Sequence, residues 1–155
     1  MEDDTAIHLF KEQLENEGKK IESSLELKKR GELLTWWYFK AIKSYKNDKI
    51  NEIICDGGGN LGIDAIDIDE NNYVHFYQFK NPVSIDDGID GGDIDKFLEG
   101  LNLIIARKHD KIANPDLRAL VEEIYQIIPS GYQLHLVVSG KGGISSESIE
   151  KLVCV

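Results

Sequence analysis

GIDAIDIDENNYVHFYQFK, residues 62–80, carries the clearest strand pattern of the chain. Residues 63–68 and 73–79 are rich in β-branched and aromatic side chains, which favour strands. The Asp-Glu-Asn-Asn run at 69–72 between them consists of residues that favour turns. The stretch therefore predicts an antiparallel β-hairpin, around which the rest of the fold is built.

Two helices are predicted before this hairpin. In residues 5–15 apolar side chains recur at helical spacing, and the polar segment 16–20 is expected to end that helix. Ser23 and Glu26 have the spacing of a capping box, which predicts the start of a second, longer helix. Gly31 interrupts that helix, so the alternative is a start or a bend near residue 31.

The segments that follow add strands and helices to the hairpin. Residues 51–55 predict a short strand, and the nearly continuous apolar run in 133–139 predicts a final strand at the centre of the sheet. Asp93 is expected to cap a helix to about residue 107, and Asn114 to cap one to about residue 128. The inward side chains of the first of these helices are expected to be Ile94, Phe97, Leu98, Leu101 and Ile105.

This order of elements predicts an α/β (α+β) fold in three layers, with a central mixed sheet flanked by helices. A chain of 155 residues suits a single domain, residues 1–155. The abrupt apolar tail at 151–155 fits the N-terminal domain of a longer protein. A cytoplasmic location is expected, because no membrane span or secretory signal is visible and the two cysteines are far apart in sequence.

Two glycine-rich segments have the composition of nucleotide-binding loops but lack the necessary context. Residues 57–62 match G-x-G-x-x-G, yet a strand pattern follows where a dinucleotide site needs a helix. Residues 140–143 (GKGG) lack the first glycine of a phosphate loop and the Ser or Thr after its lysine. Neither segment is interpreted as a phosphate site.

Polar side chains are predicted to converge at one end of the hairpin. Gln78 and Lys80 are two positions apart in a strand, so they share a face. With the turn at 71–72, the numbers of paired residues sum to about 143. Asp64 then lies opposite Phe79 and beside both Gln78 and Lys80. A carboxylate, an amide oxygen, an ammonium group and the Phe79 backbone carbonyl therefore meet next to the glycine loop.

This group of residues suits phosphodiester hydrolysis. Hard oxygen ligands for Mg²⁺ or Mn²⁺ are available from the Asp64 carboxylate, the side-chain oxygen of Gln78 and the backbone carbonyl of Phe79. Lys80 can orient or deprotonate a water molecule, or stabilise negative charge that develops on a phosphate. The long helix is expected to supply a further acidic ligand, Glu32, with Glu26 and Glu22 as alternatives.

The competing interpretation is a surface ion pair between Asp64 and Lys80, which is common for an Asp and a Lys at such spacing. Two details favour the functional reading. Asp64 interrupts a strand that otherwise looks buried, and a buried charge needs a partner or a metal. Gln78 and Lys80 likewise stand among aromatic residues on a short strand.

Two segments resemble the core of the PD-(D/E)XK nuclease superfamily: Asp56 to Ile66 (DGGGNLGIDAI) and Tyr77-Gln78-Phe79-Lys80. They are similar to the subgroup that has Gln in the usual Glu position. The chain is most similar to the N-terminal domain of AIPR-type abortive-infection phage-resistance proteins, and next to Mrr-type restriction endonucleases. The resemblance covers about residues 21–139, the expected core of the domain.

The resemblance implies a restriction-endonuclease-like fold and divalent-metal-dependent cleavage of DNA in defence against phage. It makes Asp64 the metal-binding aspartate, Gln78 the residue in the Glu position, Lys80 the catalytic lysine and Glu32 the helix acid. Because Gln78 is neutral, weaker metal affinity is expected. The family normally has a longer C-terminal region, so a missing region or a homodimer is expected to contribute to binding.

The net charge of −10, from 28 acidic and 18 basic residues, excludes a surface that is basic throughout. Weak, salt-sensitive DNA binding is therefore expected, with RNA also open as a substrate and no membrane partner. Trp36 and Trp37 are candidates for stacking on bases, but core packing is expected for one of them. The four histidines are interpreted as structural or surface residues. The basic clusters expected to contact DNA are Lys28-Lys29-Arg30, Lys40 with Lys43, and Arg107-Lys108-His109 with Lys111.

The alternative function is a catalytically silent nuclease-like domain that binds protein or nucleic acid. A small-molecule α/β enzyme ranks last, because the sequence offers no Ser–His or Cys–His pairing for a nucleophile and its base.

Overall fold

The computed structural model describes residues 2–25, 30–55, 58–144, 146 and 150, without the side chains of residues 2, 3, 20–25 and 30–32. Its helices are α1 (Glu2–Leu25), α2 (Arg30–Trp37), α3 (Asn47–Ile53), α4 (Gly91–Ile105) and α5 (Pro115–Ile124). A π-helical turn, Tyr38–Ile42, continues α2, and a 3₁₀ turn, His109–Lys111, follows α4. The strands are β1 (Ala65–Ile68), β2 (Tyr73–Lys80) and β3 (Gly131–Val138).

The predicted hairpin is confirmed as β1 and β2, which pair antiparallel, with Ala65 opposite Tyr77 and Ile66 opposite Phe76. Paired numbers therefore sum to 142, one less than expected from the sequence. On its other edge β2 pairs in parallel with β3, which makes the sheet mixed, as predicted.

Helices cover both faces of this sheet, so the three-layer α/β plan is confirmed. On one face Ile66 of β1 and Phe76 of β2 pack against Phe97 of α4 and Val121 of α5. On the other face Tyr77 and Phe79 of β2 pack against residues from the first three helices and the π-helical turn, including Leu14, Leu34, Phe39 and Ile50. Alternation along β2 produces this division, because successive side chains point to opposite faces.

The predicted end of the first helix at 16–20 is wrong, because α1 continues to Leu25. Gly18 is buried inside it, and a Cβ at that position would lie 2.7 Å from Leu33 side-chain atoms of α2. Glycine here permits close approach of two helices instead of ending one. Ser23 lies within α1, so the capping-box start is also wrong, and the next helix begins at Arg30, close to the alternative start near Gly31.

Residues 51–55 do not form the predicted strand, because residues 47–53 are helix α3. Ile50 and Ile53 lie one helical turn apart and are both buried beneath the sheet. Only Ile54 retains a strand-like contact, an isolated bridge to Ala65. The β-branched residues of this segment are therefore buried on one face of a helix.

Other boundaries also differ from the sequence predictions. Within the described residues β2 is the central strand and β3 an edge, so the predicted central position of residues 133–139 is wrong. Helix α4 is capped by Asp90, with Asp93 in its first turn, and α5 ends at Ile124. Ile104, and not Ile105, is the inward residue at the end of α4. The predicted cap Asn114 is confirmed, since its side chain accepts the Leu117 N–H.

No helix in the described part of the chain combines the length and the apolar character needed to cross a membrane. The tail at 151–155, on which the expectation of a longer protein depends, lies outside the described residues.

Candidate active site

Asp64 immediately precedes β1 and is fixed by contacts with β2. Its backbone N–H donates to the Tyr77 carbonyl (2.8 Å), and its carboxylate Oδ2 accepts the Phe79 N–H (2.7 Å). The side-chain amide of Asn60 donates to the other carboxylate oxygen (3.3 Å). The glycine-rich turn therefore supplies a partner for the carboxylate, and Asn60 is a site residue that the sequence interpretation did not name.

The environment of Asp64 makes its carboxylate costly to ionise. Burial, with a smaller contribution from the nearby charge of Asp93, raises the pKa of Asp64 to about 6 against the lowering effect of the hydrogen bonds from Phe79 and Asn60. A carboxylate in this position gains most from a cation that offsets its charge.

Gln78 lies on the α4 face of β2 and is only 6% exposed. Its Nε2 donates to the backbone carbonyl of Asp93 (3.1 Å), which places the carboxamide at the first turn of α4. The Oε1 atom is buried and has no hydrogen-bond partner. Gly62 makes room for this side chain, since a Cβ there would lie 3.0 Å from Gln78 Nε2. An unpaired buried acceptor is costly and indicates a site for a ligand.

Lys80, on the same face as Gln78, forms an ion pair with Asp93, with Nζ 3.1 Å from Oδ2. Asp93 belongs to a reciprocal capping box with Asp90 at the start of α4. Asp93 thus contacts both functional residues of β2, through its carbonyl and its carboxylate. The sequence interpretation used Asp93 only as a helix cap and missed this role, although the D-G-G-D pattern at 90–93 has the spacing of a capping box.

The Phe79 carbonyl lies on the side of β2 that faces β1. In an antiparallel ladder the N–H and C=O of one residue point the same way, and the Phe79 N–H points at Asp64. Since β1 begins only at Ala65, this carbonyl opens towards the Asp64 end of the hairpin. The structure thus brings together Asp64, Gln78, Lys80 and the Phe79 backbone, and adds Asp93.

The helix acid proposed from the sequence, Glu32, stays a prediction. Glu26 lies outside the described residues, as do the side chains of Glu22 and Glu32. Helix α2, which carries Glu32, packs with Leu33 and Leu34 on the Tyr77 and Phe79 face of the sheet. Gln78 and Lys80 point to the opposite face, so α4 is the helix whose residues reach them.

Two of the predicted basic residues, Lys28 and Lys29, lie outside the described residues, and the cluster at 107–111 lies far from Asp93. Exposed Arg107 and Lys108 follow the C-terminal end of α4, about 20 Å along that helix from Asp93. Exposed Lys40 lies in the π-helical turn beyond α2. A basic residue that the sequence interpretation missed is nearer: the Cβ of exposed Lys96 is 3.6 Å from the position a Cβ would take at Gly62.

Of the two tryptophans, Trp36 is in the core at 3% exposure, as expected for one member of the pair. Trp37 is half-buried and meets Phe10 edge to face, with ring centroids 4.8 Å apart. Trp36 therefore has no surface available for stacking on bases.

The donor atoms of the site fit a hard divalent cation. Among the described side chains, no group of three or more His, Cys, Asp or Glu residues is arranged to hold a metal ion. The oxygen donors present are instead a buried carboxylate, an unpaired amide oxygen and the carboxylate of Asp93. A magnesium-type ion accepts such mixed oxygen ligands and completes its shell with water.

No protein-family model, no curated protein and no solved structure matches this chain.

Proposed function

We propose that this protein is a divalent-metal-dependent nuclease of the PD-(D/E)XK type that hydrolyses DNA phosphodiester bonds. The observation that carries the proposal is the Gln78 side chain, whose buried Oε1 is unpaired while its Nε2 donates to the backbone carbonyl of Asp93. Such an atom destabilises the fold unless a ligand uses it. With Asp64 and Lys80 on either side, a cation that binds phosphate is the ligand that fits.

Each residue has a distinct part in this reaction. The Asp64 carboxylate and Gln78 Oε1 hold Mg²⁺ or Mn²⁺, with the Phe79 carbonyl as a further oxygen donor. The metal, when bound, lowers the pKa of a water molecule and neutralises charge on the scissile phosphate. The Lys80 side chain is 38% exposed, and its ammonium stabilises the negative charge on the phosphate oxygens. Glu32 is retained as a candidate fourth ligand.

The charge distribution favours a local contact with nucleic acid over a broad basic interface. The site contains Lys80 and the neighbouring Lys96, whereas Arg107 and Lys108 lie at the far end of α4. A phosphate backbone is thus attracted at a few points, and binding weakens steeply with salt. Resemblance to the AIPR-type and Mrr-type proteins supports DNA as substrate and phage defence in the cytoplasm as the setting. A second copy or a C-terminal region would add affinity.

The second candidate is a nuclease-like domain that binds nucleic acid or protein without cleaving it. The observation in its favour is that the described side chains contain no cluster of three acidic, His or Cys ligands. One firmly placed carboxylate and a neutral amide hold a divalent ion more weakly than two carboxylates.

The test is a metal-dependent cleavage assay on single- and double-stranded DNA and RNA with purified protein. Asp64→Asn and Lys80→Met keep the size of each side chain and remove its charge. We expect both to lose Mg²⁺-dependent cleavage of DNA, while circular dichroism shows an unchanged fold. Asp110→Asn and Lys19→Met make the same changes at exposed positions away from the site and should cleave like the unmodified protein.

Cleavage that survives in both Asp64→Asn and Lys80→Met would contradict the proposed active site. Calorimetry with Mn²⁺ separates the two candidates. Metal binding that Asp64→Asn abolishes, without cleavage of any substrate, favours the silent domain.

A further inference from the structure

Within the described residues, the contacts of Asp93 join Gln78 and Lys80 of β2 to α4. Its carboxylate pairs with the Lys80 ammonium (3.1 Å), and its backbone carbonyl accepts from Gln78 Nε2 (3.1 Å). The pairing of Ala65 with Tyr77, continued by one position, places Asp64 opposite Gln78. Asp64 and Asp93 therefore both adjoin Gln78, and Lys80 pairs with the Asp93 carboxylate.

An acidic pair of this kind is not a cation site by itself. The independent indication is Gln78 Oε1, an acceptor in a side chain only 6% exposed and with no partner. Its carboxamide cannot be reversed without placing Oε1 against the Asp93 carbonyl oxygen. The unpaired oxygen thus belongs to a side chain that adjoins both Asp64, opposite it on the hairpin, and Asp93.

We infer that Asp93 is a metal-operated latch: it holds Lys80 in the metal-free protein and transfers its carboxylate to the divalent ion when that ion binds, which frees Lys80 for phosphate. The inference rests on the proposed function and adds to it a residue and a form of regulation. The lysine is made available only when the metal is in place, so the site does not hold phosphate before it can act on it.

The strengths of the two competing contacts favour this exchange. The ion pair is partly exposed, with Lys80 38% and Asp93 25% accessible, and such pairs are weak. At equal distance a divalent cation attracts a carboxylate about twice as strongly as an ammonium does. A bound ion that also takes Asp64 and Gln78 Oε1 is therefore the stronger partner for Asp93.

The first measurement is Mg²⁺ affinity by calorimetry on the full chain. Asp93→Asn keeps an oxygen that can accept the Asp90 N–H of the capping box but removes the charge. We expect it to weaken Mg²⁺ binding about tenfold or more. Glu99→Gln removes the same charge from an exposed position farther along α4, and its affinity should stay within about twofold of the unmodified protein.

The second measurement is the NMR signal of the Lys80 side-chain ammonium, assigned by its absence in Lys80→Met. The pair with Asp93 slows exchange of these protons with water, so the metal-free protein should show a resolved signal. Saturating Mg²⁺ should broaden or shift it. Asp93→Asn should lack the resolved signal with and without Mg²⁺, whereas a purely structural ion pair would not respond to the metal.

The outcomes separate the latch from the nuclease. Suppose that the protein cleaves DNA, but Asp93→Asn binds Mg²⁺ with unchanged affinity or the Lys80 signal does not change when Mg²⁺ is added. Either result overturns the latch and leaves the proposed function intact. Both expected responses without cleavage of any nucleic acid support the latch and overturn the nuclease. Absence of Mg²⁺ binding to the unmodified protein overturns both.

Discussion

Two polar clusters occupy opposite faces of β2, and they differ in how their hydrogen bonds are completed. On the face of α1, α2 and α3, His75 bridges Asp69 and His135, with both contacts at 2.9 Å. Its neighbour Asp67 accepts from Tyr45 and pairs with Lys49 at 2.8 Å. In this histidine cluster, defined as Asp69, His75 and His135, both ring nitrogens of His75 therefore have a side-chain partner.

The candidate active site, on the α4 face, is incomplete by comparison. Asp64 is held by Phe79 and Asn60 but pays for its burial with a raised pKa, and the Oε1 of Gln78 has no partner. Polar groups that satisfy one another stabilise a fold, whereas groups left incomplete in a defined position indicate where a ligand binds. The difference predicts that substitutions in the histidine cluster lower stability, whereas removal of the charges of Asp64 or Lys80 in the candidate active site lowers activity without destabilising the fold.

The largest expected effect is on cleavage by double variants. Removal of a group that stabilises transition-state charge, the role proposed for Lys80, typically lowers a rate by about 10²–10³-fold. Under the proposed mechanism Asp64 and Lys80 act on the same phosphate, so Asp64→Asn combined with Lys80→Met should lose little beyond the larger single effect. Lys80→Met combined with His135→Gln should instead show independent effects, on rate and on stability respectively. Single-turnover cleavage rates test this, and strict multiplication of the Asp64 and Lys80 effects would contradict a common site.

The next effect is a gain in stability in Asp64→Asn that depends on pH. Burial raises the pKa of Asp64 from 3.8 to about 6 in the folded protein. A group with a raised folded pKa contributes stability below its unfolded pKa, and that stability is lost as the pH rises through the folded value. Asp64→Asn has no carboxyl group to ionise and so avoids this loss of stability. Its unfolding free energy should exceed that of the unmodified protein by up to about 3 kcal/mol at pH 8 and by little at pH 4. Urea unfolding at both pH values measures this, and an equal difference at both would show that Asp64 is not buried as described.

A glycine substitution beside Gln78 is expected to have an intermediate effect. Gly62 has a φ of +73°, and a Cβ there would lie 3.0 Å from Gln78 Nε2. Gly62→Ala should therefore cost about 1–2 kcal/mol in unfolding free energy and weaken Mg²⁺ binding by displacing the amide. Gly58→Ala is the matched control in the same turn, because its Cβ would meet no atom within 4 Å. Similar losses in both variants would contradict the role of Gly62.

The smallest expected effect is in the histidine cluster. Burial, with the neighbouring His75 and Lys43, lowers the pKa of His135, so the folded state favours its neutral form. The unmodified protein should therefore lose stability as the pH falls below the ordinary histidine range near 6.5. His135→Gln should cost about 1 kcal/mol at pH 7.5 through the lost contact with His75, and less at pH 5, where the charged histidine is penalised. A loss of unfolding free energy in His135→Gln that is larger at pH 5 than at pH 7.5 would contradict this prediction. Cleavage by the variant should be unchanged.

The hairpin and the residues at its end could be predicted because they depend on local geometry. Strand alternation places Gln78 and Lys80 on one face, and a four-residue turn fixes the partner of Asp64 to within one position. The cap at Asn114 was equally predictable, because its side chain bonds to a backbone group three residues away. In each case the interacting groups are close in sequence.

The errors fall where a distant segment decides the structure. Gly18 carries the composition of a helix end but is enclosed by Leu33, so α1 continues past it. The apolar run around Ile53 has strand-like composition, yet burial of Ile50 and Ile53 against the sheet selects a helix. Asp93 has the sequence of a helix cap, and only the packing of α4 on β2 brings it to Lys80.

The sequence by itself determined the hairpin and the presence of an acid, an amide and a lysine at one end of it, because a strand repeats every two residues whatever surrounds it. Only the tertiary structure decided that α4 closes this group and that Gln78 Oε1 is left without a partner. Both facts depend on how closely segments that are far apart in the chain approach one another. That approach is set by close packing of the core, and no local sequence pattern encodes it.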